Sequence, residues 1–141
     1  VVSIHYNSNG LTAKGTATRD CYAIYNDLTL PSEYILEYTL VDYTTNDGYF
    51  TEIGFENGFI NINNNQLYLR KNGSAQSQRS NISKGDVISL RITGNSSKTM
   101  EIFINGVIAQ THTGITQTGT HRLKSYNNRN TTFKDLKIKA L

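Results

Sequence analysis

The stretch VISLRITGNSSKTMEIFINGVIAQTHT, residues 87 to 113, decides how this chain folds. Ile88, Leu90 and Ile92 alternate with Ser89 and Arg91, and Met100, Ile102 and Ile104 alternate with Glu101 and Phe103. Successive side chains of a β-strand point to opposite faces, so each run buries one face and leaves the other polar. Gly94 to Ser97 supply a turn between the runs, and Asn105-Gly106 is the dipeptide of a type I′ hairpin, whose central residues both need positive φ. Two hairpins in tandem follow.

Outward from there the same period recurs. In YILEYTLVDY, residues 34 to 43, Tyr34, Leu36, Tyr38 and Leu40 form the core face, with Ile35, Glu37, Thr39, Val41 and Tyr43 on the other. The Asp47-Gly48 signal in the following loop predicts a reversal into YFTEIGFE, residues 49 to 56, so these two strands are expected to pair. Asn57-Gly58 turns the chain into FINI, and NNNQ leads to LYLRK; residues 71 to 86 read as a polar surface loop. SIHY, LTAKGTAT and CYAIYN near the amino end, with THRLKSYN and TTFKDLKIKAL at the other, complete about ten to twelve strands. No helical period competes, and the prediction is an all-β, two-sheet antiparallel sandwich.

The 141 residues fit one domain with one core, spanning 1–141. The net charge of +3 and pI near 9.0 are mildly basic, but the cations are scattered, which argues against nucleic acid. Cys21 stands alone and excludes an internal disulfide. No apolar run approaches the roughly 18 residues of a membrane span, so membrane insertion is not expected. The opening VVSIHYNSNG lacks an initiator methionine, as expected of a module excised from a larger protein or of a processed chain. Sequons at Asn72, Asn81, Asn95 and Asn130 are a chance product of the Asn, Ser and Thr content.

EYILEYTLVDY, TEIGFENGF, KGDVISLRITGNSSKTMEIFINGVI and FKDLKIKAL, in that order, resemble the concanavalin A-like lectin/glucanase superfamily, which includes laminin G-type domains and many carbohydrate-binding modules. The resemblance covers the chain from about residue 20 onward and implies a jelly-roll β-sandwich. It also implies a carbohydrate partner and an extracellular, cell-surface or virion location, within a multi-domain surface protein or phage tail. The chain has no tryptophan, which many such modules use for stacking on sugars.

Laminarinase-like members carry a strand motif resembling Glu-x-Asp-x-Glu. Glu52 and Glu56 have the end positions, but Gly54 stands where the middle aspartate belongs. Four residues of flat strand also span roughly 13 Å, beyond the roughly 5–9.5 Å between glycosidase carboxyls. Glu37 is the other candidate partner of Glu52, on the expectation that their strands pair. Catalysis is therefore not expected. His5, His112 and His121 show no metal-ligand spacing. Asp42, Asn46 and Asp47 offer oxygens to calcium, but an ordinary turn is the preferred reading, and no cofactor is expected.

A non-catalytic carbohydrate-binding function for a microbial cell-surface glycan remains, with a structural domain lacking a sugar ligand as the alternative and a glycosidase behind both. Sugar sites need aromatic faces beside fixed amide, carboxylate and guanidinium groups. Nine tyrosines supply the aromatics. The candidate ligand-binding residues are Tyr43, Tyr49, Glu37, Glu52, Tyr68, Arg70, Arg91 and Tyr126.

Overall fold

A computed structural model describes residues 2–7, 10–15, 21–24, 32–43, 51–55, 57–116, 122–125 and 130–141, with side chains placed for 32–43, 54, 57–116, 134, 135, 137 and 139–141. The regular elements among them are all strands: β1 (Val2–Asn7), β2 (Gly10–Gly15), β3 (Cys21–Ile24), β4 (Tyr34–Tyr43), β5 (Thr51–Phe55), β6 (Gly58–Asn63), β7 (Gln66–Lys71), β8 (Ser74–Ala75), β9 (Ser80–Asn81), β10 (Val87–Gly94), β11 (Ser97–Ile104), β12 (Val107–Thr116), β13 (Arg122–Ser125) and β14 (Asn130–Ala140).

The stretch from 87 to 113 forms the meander its alternation predicts. Ile88, Leu90 and Ile92 of β10 stand opposite Ile104, Ile102 and Met100 of β11, and β12 runs back along β11. Asn105 (φ 52°) and Gly106 (φ 79°) take the two positive φ values of the type I′ turn. The Asn105 side chain secures that turn, accepting from Val87 N–H at 2.9 Å and donating to Asp86 Oδ1 at 3.0 Å.

The expected hairpin between 34–43 and 49–56 does not form. β4 lies between β14 and β10 in a first sheet of order β1-β2-β14-β4-β10-β11-β12, whereas β5 lies between β13 and β6 in a second of order β3-β13-β5-β6-β7-β8, with β9 beside β7. Alternation fixes which face of a strand is buried but not which strand lies beside it. The two sheets face each other through one core. Tyr34, Leu36, Tyr38, Leu40, Ile88, Leu90, Ile92, Met100, Ile102 and Ile115 come from the first sheet, and Ile60, Ile62, Leu67 and Leu69 from the second. Each fully buried Leu or Ile contributes about 1.5–3 kcal/mol relative to exposure.

β12 is an edge strand, and side chains from the end of β7 and the segment between β7 and β9 cover carbonyls along it. Gln78, Lys71 and Asn72 donate to the carbonyls of Ala109 (3.2 Å), Thr113 (3.0 Å) and Gly114 (3.1 Å). That blocks the edge from pairing with another chain. Inside the same edge, buried Gln110 donates to Leu67 C=O (3.2 Å) and Ser80 Oγ (2.7 Å), and buried His112 donates from Nε2 to Gln110 Oε1 at 2.7 Å. These bonds link the two sheets where the apolar core ends.

Candidate functional site

Each sheet has a second face, turned away from the core. On the second sheet, the registers of β3, β13, β5, β6 and β7 align Tyr22, Lys124, Glu52, Asn61 and Tyr68 in one row. At about 4.8 Å between strands the row is about 19 Å long. The adjacent row reads Ile24, Arg122, Gly54, Phe59 and Arg70. On the other side of Asn61, Asn63 stands opposite Gln66, whose amide donates to Asn81 Oδ1 at 3.3 Å. The side chains described there, Phe59, Asn61, Asn63, Gln66, Tyr68 and Arg70, bring aromatics, amides and a guanidinium to one sheet face.

Asn61 is the feature of this face that packing does not explain. Its side chain is fully buried, and neither its Nδ2 nor its Oδ1 has a hydrogen-bond partner; Asn63 Oδ1, two residues along on the same face, is likewise buried and unbonded. A buried amide left unpaired costs about 1–3 kcal/mol, and the large majority of buried polar groups are paired. Around it, Phe59 and Tyr68 are 8% and 7% exposed, and the Arg79 guanidinium lies 3.7 Å above the Tyr68 ring centroid.

Gly54 belongs to the same face, and its backbone explains why no carboxylate stands there. Its φ is +148°, and a Cβ would collide with the carbonyl oxygen of Gly58 and come within 2.7 Å of Phe59 Cα. The strand crossing at β5–β6 thus requires the glycine that interrupts the Glu-x-Asp-x-Glu pattern. Gly58 opens β6 opposite Phe55 rather than completing a turn with Asn57, and Glu56 lies outside the described residues.

The eight candidate residues do not gather in one place. Glu52, Tyr68 and Arg70 share the outer face of the second sheet. Glu37 and Arg91 lie on the outer face of the first sheet, so Glu37 and Glu52 are not cross-strand neighbours. There Glu37 accepts from the Ser89 hydroxyl at 3.0 Å, and Arg91 pairs with Glu101 at 2.8 Å. Tyr43, expected on the outer face, is in the core: a register shift between β4 and β14 beyond Leu40 turns it inward, where its hydroxyl donates to Asn65 Oδ1 at 2.6 Å. Tyr49 and Tyr126 lie outside the described residues. Asn61, Asn63 and Arg79 were not singled out, although the alternation of Asn61 and Asn63 with Ile60 and Ile62 was legible.

Elsewhere several charged groups are engaged. Lys84 Nζ binds Asp42 Oδ1 at 2.8 Å and holds that carboxyl below its ordinary range, and Asn46 and Asp47 lie outside the described residues. Among the described residues no group of three or more His, Cys, Asp or Glu is arranged for a metal ion. Buried Lys98 donates to the carbonyls of Ser32 and Gly94, both at 2.5 Å, tying the start of β4 to the β10–β11 turn.

No family model matches the chain, and no curated protein matches it in sequence. Solved structures do. The chain superposes over 99% of its length on 92% of the carbohydrate-binding module CBM66 from Bacillus subtilis, with a TM-score of 0.65 at 10% identity. It matches 87% of an endo-β-1,4-glucuronan lyase from Trichoderma reesei over 100% of its own length, with a TM-score of 0.62 at 11% identity. It also matches 41% of the ligand-binding domain of botulinum neurotoxin serotype D, in a complex with N-acetylneuraminic acid, over 98% of its length, with a TM-score of 0.58 at 14% identity. The fold is a two-sheet antiparallel jelly roll, as in these structures. One jelly roll here is a binding module and another a lyase, so the chemistry has to be argued from the site.

Proposed function

We propose that this jelly roll is a non-catalytic carbohydrate-binding module, displayed outside the cell on a cell surface or virion as part of a larger protein, with a microbial cell-surface glycan as ligand. Its site is the outer face of the second sheet. The observation that carries this reading is the buried, unbonded carboxamide of Asn61 in a row with Glu52 and Tyr68. A carboxamide offers both a donor and an acceptor, which neighbouring sugar hydroxyls match. Tyr68 supplies the apolar face once the exposed Arg79 side chain swings off its ring. The likeness to CBM66 supports the reading at the level of fold. Gly54 favours binding over hydrolysis, since its backbone admits no carboxylate at the middle position of the glycosidase pattern.

A glycan array together with whole-cell binding tests this. Binding that is lost in Asn61→Leu and retained in Arg91→Gln supports the site; silence in both assays overturns the function.

One observation favours a second reading, a structural domain of a surface or tail assembly. Val107 and Ile108, at the start of edge strand β12, are 69% and 51% exposed. Paired exposed aliphatics of this kind suit a contact within a parent assembly. Replacing both with threonine should leave glycan binding intact; loss of assembly alone, with no glycan bound by the native chain, would favour this reading.

A further inference from the structure

Among the described residues, cations outnumber acids at the register positions of the second sheet's outer face. Arg122 and Lys124 hold such positions on β13 and Arg70 on β7, against Glu52 on β5. Arg79 reaches the same face from the segment between β8 and β9. The ion pairs among the described residues are Lys84 with Asp42 and Arg91 with Glu101. Arg70 instead donates to Gly73 C=O at 3.2 Å, and Arg79 to Gln76 C=O. A guanidinium on a neutral carbonyl keeps its full charge, and its planar fork fits a carboxylate or phosphate through two parallel bonds.

The two arginines flank Tyr68, the cross-strand neighbour of Asn61. Arg70 is two residues from Tyr68 on one face of β7, about 6.6 Å along the strand, and Arg79 lies on the Tyr68 ring. Asn61 is the cross-strand neighbour of Tyr68, and Asn63 follows on the same face. Uncompensated guanidinium charge and the unpaired carboxamide of Asn61 thus both border Tyr68, with Asn63 one row further on. Resting on the site proposed above, we infer that its ligand is an anionic sugar unit, whose carboxylate or phosphate docks on Arg70 and Arg79 while its hydroxyls reach Asn61 and Asn63. The anion replaces two weak carbonyl contacts with charge-assisted bonds and draws Arg79 off the tyrosine ring.

The first sheet provides an internal control. Lys134 and Lys139 are exposed on β14, opposite Thr39 and Ile35, on the far side of the sandwich. Removing them lowers the net charge by the same two units as removing the arginines.

The test is an array holding neutral glycans beside uronate-, sialate- and phosphate-bearing ones, followed by titration of each hit and of its carboxyl-reduced or dephosphorylated counterpart. Acidic members alone should bind, and the class that does identifies the source of the anion. R70Q/R79Q should weaken binding about tenfold or more, and K134Q/K139Q less than about twofold. Thermal melts confirm that each variant is folded; Arg79→Gln alone, at an exposed position, should show part of the loss. Equal binding of the neutral counterpart overturns the inference while leaving the site reading intact. Equal losses in the two double variants also overturn it, because attraction would then follow net charge. Silence across the whole array overturns the site reading itself.

Discussion

Asn61 faces Tyr68 across the β6–β7 pair, on the side of the second sheet turned away from the core, and its buried carboxamide makes no hydrogen bond. Ile60 and Ile62, on either side of it in sequence, fill the core instead. The strand therefore presents one face built for packing and another whose most buried group is left unsatisfied. A polar group held in that state costs stability, and sites that bind ligand are where such costs persist.

Gly54 should tolerate no side chain. With φ at +148° and Gly58 C=O and Phe59 Cα where a Cβ would go, Gly54→Ala should destabilise by about 2 kcal/mol or more, and Gly54→Asp by at least as much. Urea denaturation measures both. A Gly54→Asp chain as stable as the parent would show that the glycine is not required by the backbone, and would reopen the glycosidase reading.

The meander from 87 to 113 was fully legible, because its period and its Asn-Gly turn are local signals. The partnership of β4 was not. The Asp47-Gly48 signal promised a hairpin, but β14, from the far end of the chain, and β10 flank that strand. Tyr43 misled for a similar reason: strict alternation puts it outside, and a bulge set by its distant partner β14 puts it inside. At the site, charged and aromatic residues drew attention while the asparagines between isoleucines did not, since burial of an amide without a partner is a tertiary fact.

Stability should fall on mild acidification through His112. Burial, and secondarily the charge of Lys71, lower its pKa from the ordinary 6.5. Below about pH 6.5 the unfolded chain takes up a proton that the folded chain refuses, so the contribution is whole above that pH and is lost as pH falls through the lowered folded value. Urea midpoints from about pH 7.5 to 5 should decline more steeply for the native chain than for His112→Gln. Parallel curves would contradict the assignment.

Gln110 should couple to His112. Gln110→Leu removes the bonds to Leu67 C=O and Ser80 Oγ and strands the His112 Nε2–H. A loss of about 1–3 kcal/mol is expected, with a coupling of about 0.5 kcal/mol or more in a double-mutant cycle with His112→Gln. Strict additivity would mean that the two side chains act independently.

Affinity for a single sugar unit should be modest, because one unit engages few groups and has to offset the ordering of the ligand and the displacement of Arg79 from the Tyr68 ring. Isothermal titration with a monovalent oligosaccharide should give a dissociation constant above about 1 μM, rising to much tighter apparent binding on a multivalent surface. Submicromolar monovalent binding would contradict this expectation.

The most direct test is Asn61→Leu, which keeps the branching and heavy-atom count of the side chain and removes the amide. If the carboxamide is held for a ligand, the variant should be more stable than the parent by about 1–3 kcal/mol in urea denaturation and should lose glycan binding in the same preparation. A variant that is less stable and still binds would contradict the account, because Asn61 would then be a structural residue and the site would lie elsewhere.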